Sequence, residues 1–425
     1  MVPIIRIRNE SDLKNLFGSG ANLGKAESKA REIVETVRKN GDKALIAFTK
    51  KFDGVDLAGK GLRVKEKEFA EAMARVSRKE VSMIKRAAKN IEKFHKQQMV
   101  KGWKIEIERG ITAGQLVKPI ESAGVYVPGG RFPLASSLLM GVIPAKVAGV
   151  KEIIVCTPPQ KDGKVNAIIL AAARVLGIKK VFKAGGAQAI AAMAYGTKTI
   201  PKVNKIVGPG NVFVTAAKKL VYGDVGIDFI AGPSEVGILA GGKANAAFIA
   251  ADMLAQAEHD ELAKSILVTD SRELAVKVKR EIGKQIKGLK TRETAAKSLA
   301  RNGKIFLVKN MNEGVKAINA IAPEHLVFLA EKKYLKSVEN AGSIFIGAYS
   351  PVSAGDYASG TNHVLPTGGF AKARGGLSVL DFLKLQSFQE LSKKGLERIG
   401  KTVEGLAELE GLDAHSKAVK KRLGE

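Results

Sequence analysis

A glutamate and a histidine stand side by side in the stretch IAPEHLVF, as Glu324 and His325, between two apolar runs. The chain has only five histidines among its 425 residues. A histidine titrates near neutral pH and a carboxylate beside it can take a proton from water, so the pair could be a general base and its partner. It could equally be the edge of a strand that meets solvent. A dipeptide alone does not decide between these two interpretations.

Polar residues of the kind that bind a metal ion occur in two other stretches. In DMLAQAEHDEL, Gln256 and His259 are spaced i, i+3, which would put them on one helix face and suits two ligands of one cation. Taken alone, that pattern is more often a solvated helix end. The stretch SAGDYASGTNHVLPTGG, residues 353–369, is typical of a binding loop and carries Asp356 and His363.

A third such stretch is EGLDAHSKAV near the C-terminus, which contains Glu410 and His415. One glutamine, one aspartate and two histidines would form a mixed nitrogen and oxygen site, suitable for Zn²⁺ or another borderline divalent ion. Sequence spacing does not show that these residues meet. The remaining histidine, His95 in KFHKQQ, is predicted to be an exposed helix residue.

The composition is that of an ordinary globular protein. Hydrophobic residues make up 45% of the chain and charged residues 26%. No window approaches ~18 uncharged apolar residues, so a membrane span is not expected. At 425 residues the chain is longer than one hydrophobic core usually supports, so two or more domains are expected. The single cysteine, Cys156, and the charges inside the first apolar run predict a cytoplasmic protein without disulfides or a secretory signal.

The chain is strongly basic, with a net charge of +28 from 70 Lys and Arg against 42 Asp and Glu. Such a surplus could neutralise nucleic-acid phosphates. The basic residues are scattered, however, in stretches such as KVKREIGKQIKGLK that are typical of exposed helix faces, and aromatic residues, at 5%, are too few for a base-stacking platform. We therefore expect a solvated basic surface that attracts anionic substrates, and no nucleic-acid partner. Whether this surface has a second partner stays open.

Alternating apolar runs and helical patterns predict two series of βα units around parallel sheets. Residues 22–121 are mostly helical by pattern, and the tail beyond about residue 375 is charged and helical, without a strand signal. The expected strands of the first series are GVYV (124–127), EIIVC (152–156), KVFKA (180–184), KIVG (205–208) and IDFIA (227–231). Those of the second series are EVGILA, SILVTD, KIFLVKN, HLVFLA and SIFIGA.

Four strands of the first series run into glycine-rich turns: YVPGGRF, KAGGAQA, VGPGNVF and IAGPSEV. Parallel sheets place ligands at such junctions, because helix N-termini and bare backbone N–H groups face anionic groups there. Glycine and proline could also merely punctuate the βα turns. No G-x-G-x-x-G follows a strand, so the usual dinucleotide fingerprint is absent.

The assembled motifs resemble the histidinol dehydrogenase family from about residue 20 to the C-terminus. Seven stretches match in the same order: GVYVPGGR, SSLLMGVIPAKVAGV, VGPGN-x-FV, IAGPSEV, DMLAQAEHD, APEHL and GDYASGTNHVLPT. The departures are small: GAYSP stands where the family usually has Gly-Pro-Tyr-Ser-Pro, and RGGLSV replaces a Ser-Gly-Leu-Ser-Val stretch. Neither departure removes an ionisable residue.

The resemblance implies the NAD-dependent, four-electron oxidation of L-histidinol through L-histidinal to L-histidine, the last step of histidine biosynthesis. His325 would act as general base on the alcohol and again on the hydrated aldehyde, and Glu324 would activate the water that hydrates the aldehyde. The NAD contacts would be Tyr126, Gln188 and Asn211, at three of the glycine-rich strand ends.

The resemblance also implies one Zn²⁺ per subunit, which would hold the imidazole and amine of the substrate and so orient its carbinol carbon. It assigns no role to His363. The zinc ligands would be Gln256, His259, Asp356 and His415. The substrate contacts would be Ser234, Gln256, His259, His325, Asp356, Glu410 and His415.

The implied fold is α/β, with two incomplete Rossmann-like, doubly wound parallel-sheet domains, as in aldehyde dehydrogenases, and small helical segments at both ends. The family forms homodimers whose sites borrow the C-terminal tail of the other subunit, so His325 and His415 of one site are expected to come from different chains. The expected units are an N-terminal extension (1–21), a discontinuous α/β domain (22–121 with 235–372), an NAD-binding domain (122–234) and a helical dimerisation tail (373–425).

A rival class is a thiol-dependent aldehyde dehydrogenase, which needs a nucleophilic cysteine. Cys156 is the only candidate. The stretch EIIVCTPP makes it a strand-end residue in an apolar run, which favours a packing role.

Overall fold

The computed structural model describes residues 2–7, 12, 23–129 and 133–424 and arranges them around three β-sheets. The N-terminal part begins with a short strand and is then mostly helical. Its elements are β1 Ile4–Arg6, α1 Leu23–Asn40, α2 Asp42–Asp53, α3 Glu66–Arg75, α4 Arg78–Lys96, β2 Trp103–Glu108 and β3 Ile111–Pro119. Most of the expected extension 1–21, and the turn 130–132 of the YVPGGRF motif, lie outside the described residues.

The first sheet has five parallel strands in the order β6-β5-β4-β7-β8. The strand order reverses at β4, so the sheet is doubly wound. Its strands and helices are β4 Ser122–Tyr126, α5 Ala135–Ala148, β5 Glu152–Thr157, α6 Ala167–Val175, β6 Val181–Lys183, α7 Gly186–Tyr195, β7 Lys205–Val207, α8 Val212–Val221 and β8 Gly226–Ile227.

The second sheet has six parallel strands in the order β1-β11-β10-β9-β12-β13, so the N-terminal strand joins it at one edge. The expectation of two series of parallel βα units is confirmed. The elements are β9 Glu235–Ala240, α9 Ala246–Ala257, β10 Lys264–Thr269, α10 Arg272–Gln285, α11 Arg292–Asn302, β11 Lys304–Leu307, α12 Met311–Ile321, β12 His325–Leu329, β13 Ser343–Ile346 and α13 Val352–Tyr357.

The C-terminal part consists of β14 Leu383–Leu391, α14 Lys393–Leu409 and α15 Asp413–Leu423. β14 pairs antiparallel with β3, which pairs with β2, so the three strands form a separate sheet. The expectation of a tail without a strand was therefore wrong at residues 383–391. This strand leaves most of its side chains exposed, so it lacks the apolar pattern that marks a buried strand.

The strands of both parallel sheets are apolar because helices cover both faces. On the first sheet, α5 and α6 lie on one face and α7 and α8 on the other. The helices α1 and α2 pack on the second of these layers, and α3 and α4 pack on the first. This packing differs from the grouping expected from the sequence, which joined residues 22–121 to 235–372. The domain boundaries themselves stay a prediction.

Within the described part of the chain, every helix is too short or too polar to cross a membrane.

Candidate active site

Glu324 and His325 lie at the start of β12, and each is only 5% exposed. The preceding helix, α12, ends with Ala322 in the left-handed conformation at φ 48°, and Pro323 follows. Proline after a left-handed cap stops the helix and sends the chain sharply into the strand. Gly237 of the neighbouring strand permits this approach, since a Cβ there would lie 2.8 Å from Cγ of Pro323. The pair is therefore buried, which excludes the solvent-edge interpretation.

The peptide of Glu235 contacts both members of the pair. Its N–H donates to Oε2 of Glu324 at 2.7 Å, and its carbonyl oxygen lies 3.1 Å from Nδ1 of His325. A carbonyl only accepts, so Nδ1 carries a proton and Nε2 is the nitrogen that gains or loses one. Nε2 is buried without a hydrogen-bond partner among the described residues and lies 3.6 Å from Oδ1 of Asp356.

The charges around His325 compete with its burial. Burial lowers the pKa of His325, but the carboxylates of Glu324 and Asp356 outweigh it and raise the pKa to about 10. Burial raises the pKa of Asp356, but the contact with His325 and the nearby His363 and His259 lower it overall. The two carboxylates thus keep a proton on the imidazole, unless one of them binds another cation that offsets its negative charge.

Three of the four expected metal ligands lie at the same end of the second sheet as His325, where its strands begin. Gln256 is buried in the last turn of α9, and His259 lies in the turn just beyond the helix end, so the two do not share a continuous helix face as expected. His259 is close enough to Asp356 to lower its pKa. In the described residues no three His, Cys, Asp or Glu side chains are grouped to hold a metal. Within one chain, His415 therefore does not join His259 and Asp356.

The two tail residues are remote and exposed. Glu410 caps α14, and His415 lies on α15, which packs on α14. Both side chains face solvent in the single chain.

The expected NAD contacts lie at the carboxyl ends of the first sheet. Tyr126 is the last residue of β4, and its hydroxyl accepts from the N–H of Gly186 at 3.0 Å. Gln188 is buried in the first turn of α7. Asn211 caps α8, with Oδ1 accepting from the N–H groups of Phe213 at 3.0 Å and Val214 at 3.1 Å.

His95 contacts the loop that follows α13 through Asn362. This histidine is fully buried, contrary to the sequence expectation, with Nδ1 2.7 Å from Oε1 of Gln98 and Nε2 3.3 Å from the amide of Asn362. His363 follows, with Nδ1 2.8 Å from the carbonyl oxygen of Asp356 and Nε2 3.4 Å from Oγ of Ser137. The sequence did not reveal that His95 packs there, because the contact joins residues 267 positions apart.

Glu235, whose peptide contacts Glu324 and His325, was not predicted from the sequence. The signal was a charged residue opening the apolar run EVGILA, directly after Ser234. Ser234 itself is half-buried, and its carbonyl accepts from the N–H of Lys264 at 2.9 Å.

Cys156 is fully buried, and burial raises the pKa of its thiol. A thiol kept protonated away from solvent is a poor nucleophile. The packing role is thereby favoured over the thiol-dependent mechanism.

The fold and the site define an α/β enzyme with a buried glutamate–histidine pair at one parallel sheet and glycine-rich turns at another. The chain matches the histidinol dehydrogenase family model over residues 19–423. It is 50% identical to the histidinol dehydrogenase of Methanothermobacter thermautotrophicus over 394 residues, 92% of each chain. It is 49% identical to that of Methanosarcina barkeri over 419 residues, 98% of this chain and 96% of the relative.

A crystal structure of histidinol dehydrogenase from Elizabethkingia anophelis superposes with a TM-score of 0.94 at 40% identity, covering 99% of this chain and 98% of that one. The chain belongs to the histidinol dehydrogenase family. It is an oxidoreductase of the family that performs the last step of histidine biosynthesis, as the motifs implied. The family implies NAD and a metal ion.

Proposed function

We propose that the protein oxidises L-histidinol through L-histidinal to L-histidine with two molecules of NAD, at the edge of the second sheet that carries Glu324 and His325. The observation that supports this most directly is the geometry of His325. Its Nδ1 is fixed on a backbone carbonyl, and its Nε2 is buried with no hydrogen-bond partner among the described residues. A buried imidazole nitrogen held ready in this way suits repeated proton transfer.

His325 is the general base in both half-reactions. In the first, Nε2 takes the hydroxyl proton of histidinol while the carbinol carbon gives a hydride to NAD. Nε2 then releases that proton to solvent, and in the second half-reaction it takes a hydroxyl proton of the hydrated aldehyde while the same carbon gives a second hydride to a second NAD. Four electrons leave the substrate, and the product is the carboxylate.

Glu324 activates the water that hydrates the aldehyde. Its Oε2 is held by the N–H of Glu235 at 2.7 Å, so the carboxylate is oriented. Its other oxygen accepts no hydrogen bond from the residues that the structure describes, so it can take a proton from water. Since only the second half-reaction consumes water, the role of Glu324 belongs to that half.

One Zn²⁺ is the proposed metal ion. Its ligands would be Gln256, His259 and Asp356 of one chain, together with His415 of a second copy. The donor set fits: an amide oxygen, two imidazoles and a carboxylate suit a borderline divalent ion. Bound there, the ion would hold the imidazole and amine of the substrate. Sharing the charge of Asp356 with a cation would also weaken the field that raises the pKa of His325, so that Nε2 could act as a base.

Tyr126, Gln188 and Asn211 are the proposed NAD contacts. Three loops meet closely at this rim: a Cβ on Gly129 or Gly185 would lie 2.8 Å or 2.6 Å from the ring of Pro158. Bare backbone and two helix N-termini at one rim fit a pyrophosphate group. Without the standard fingerprint, we expect NAD to bind loosely, as two successive cofactor exchanges require.

The protein is proposed to be a cytoplasmic homodimer in which each site takes Glu410 and His415 from the partner, with Ser234 and His325 from its own chain completing the substrate contacts. The tail carries exposed leucines around these residues, including Leu409, which is 86% exposed. Aromatic side chains are also exposed on α13, which carries Asp356, and in the segment just before it, among them Tyr357 and Tyr349. Apolar surfaces of this kind on both elements support docking of one on the other.

Counting NADH per L-histidinol consumed tests the reaction. Two are expected, and one would mean that the protein stops at the aldehyde.

Subunit mixing tests the shared site: His325→Ala and His415→Ala homodimers are each expected to be nearly inactive. A mixed dimer has one site with both lesions and one with neither, so random pairing restores roughly a quarter of wild-type activity. No recovery despite mixed dimers in the mass spectrum would contradict the shared site.

A further inference from the structure

Glu235 is a buried carboxylate at the start of an otherwise apolar strand. It opens β9, whose remaining residues are apolar or glycine, and it is only 3% exposed. Its Oε1 accepts from Nζ of Lys264 at 2.8 Å, and its Oε2 accepts from the N–H of Gly368 at 3.3 Å. Lys264 opens the neighbouring strand β10 directly opposite Glu235 in the register. The ion pair therefore bridges two strands and the loop behind them.

Stability alone does not explain this pair. Burial raises the pKa of Glu235, and the charge of Glu324 raises it further, against the opposing effect of Lys264. Two carboxylates thus approach one another in a buried place, which is costly without a specific gain. An apolar pair of similar volume would typically be as stable or more so.

What the pair fixes is the peptide of Glu235. The N–H of this peptide holds Oε2 of Glu324, and its carbonyl oxygen holds Nδ1 of His325. The side chain of Glu235 is tied on both of its oxygens, so rotation or sliding of the strand start is opposed by Lys264 and by the N–H of Gly368. A shift of this peptide would move both members of the acid–base pair at once.

We propose that the Glu235–Lys264 ion pair is a positioning device for Glu324 and His325. It fixes the peptide that keeps the proton on Nδ1 of His325 and presents one free oxygen of Glu324. Neither Glu235 nor Lys264 transfers a proton to the substrate. The inference rests on the proposed roles of Glu324 and His325.

The test uses Glu235→Gln, Lys264→Met and the double variant in the full-length, metal-loaded dimer, with kcat and KM measured for histidinol and for histidinal. We expect kcat to fall about 10- to 10²-fold for both substrates, because a misplacement of about 1 Å carries that cost. KM for both substrates and for NAD should stay within about twofold. Lys264→Arg, which keeps the charge, should recover most of the lost kcat.

Lys205→Met is the matched control. Lys205 pairs with Asp381, and its side chain is about as exposed as that of Lys264. It opens a strand of the first sheet, whereas His325 opens a strand of the second. Its loss should lower Tm and leave kcat unchanged. A purely structural pair at Glu235 and Lys264 would behave in the same way.

A second readout follows the imidazole directly. With ¹⁵N-histidine labelling, the Nδ1–H signal of His325 is the one that disappears in His325→Ala. It should shift in Glu235→Gln and stay in place in Lys205→Met. Glu235→Gln keeps an oxygen that can accept from Lys264, so it is expected to fold even where Lys264→Met does not.

Wild-type kcat in both Glu235→Gln and Lys264→Met, or an unshifted signal in Glu235→Gln, would overturn the positioning role. If His325→Ala is inactive in the same preparations, the proposed function survives that result. Full activity in His325→Ala would instead remove the proposed function, and the positioning role with it.

Discussion

The two parallel sheets carry the proposed binding and catalytic residues at opposite ends of their strands. In the first sheet, Tyr126 ends β4, while Gln188 and Asn211 lie at the starts of helices that follow strands. In the second sheet, Glu235, Lys264 and His325 are each the first residue of a strand. One sheet therefore offers its carboxyl edge, and the other its amino edge.

The two edges differ in electrostatic character. At the carboxyl edge, helices α7 and α8 begin, and their free N–H groups carry partial positive charge that suits an anionic dinucleotide. At the amino edge, α9 and α12 end just before β10 and β12, and helix C-termini favour cations. An imidazolium, a metal ion and a substrate amine are all cationic. The family's two kinds of ligand thus match two ends of one kind of sheet.

Removing His325 should give the largest difference between the two edges, with a large loss of kcat and no loss of NAD binding. We expect His325→Ala to lower kcat about 10³- to 10⁴-fold with both histidinol and histidinal, because the proposed general base serves both half-reactions. The Kd for NAD, measured by calorimetry, should stay near the wild-type value since the carboxyl edge of the first sheet is untouched. A parallel loss of NAD binding would show that the two edges are not independent.

Glu324→Gln should divide the two half-reactions. Gln keeps an oxygen that can accept from the N–H of Glu235, so the position is retained while the base is lost. We expect oxidation of histidinal to slow about 10²- to 10³-fold, and oxidation of histidinol to aldehyde much less, because only the second half consumes water. Equal losses for the two substrates would contradict this division of labour.

A smaller effect is expected at the first sheet from Asn211→Ala. The variant loses a helix cap, which costs about 1 kcal/mol of stability, and KM for NAD should rise roughly tenfold with kcat nearly unchanged. Asn245→Ala is the control, since Asn245 caps α9 through N–H groups of Ala247 and Phe248 in the same way. It should lose similar stability without a change in KM for NAD. Equal KM values for the two variants would remove Asn211 from the NAD site.

The sequence predicted the strands of the two sheets better than it predicted the contacts that their residues make. The strands EVGILA and HLVFLA are found where expected, because parallel strands buried on both faces are continuous apolar runs. The contact of Glu235 with His325 joins residues 90 positions apart, and no local pattern encodes it. The same holds for His95, which looked exposed on its helix and is buried against Asn362. Local periodicity reports which face is apolar, and not what covers it.

The smallest predicted effect concerns Asp53, a carboxylate at the C-terminal end of α2. Its Oδ2 is buried without a hydrogen-bond partner among the described residues, and burial raises the pKa of Asp53 to about 6. A helix C-terminus also disfavours an anion. The folded pKa lies above the unfolded one, so the ionised carboxylate destabilises the fold at neutral pH, and protonation relieves this as pH falls through about 6.

Asp53→Asn should therefore raise the free energy of unfolding by roughly 1 kcal/mol at pH 7.5, after allowance for the partial exposure of the side chain. The gain should shrink steadily as pH falls and vanish near pH 4, where the unfolded carboxyl is protonated too. Urea denaturation across this range measures it. Asp56→Asn is the control with the opposite sign: Asp56 accepts from Lys50 and from the N–H of Ala58, which lower its pKa, so its loss should bring no gain at pH 7.5. A gain in Asp53→Asn that is independent of pH would mean that the charge of Asp53 is not the cause.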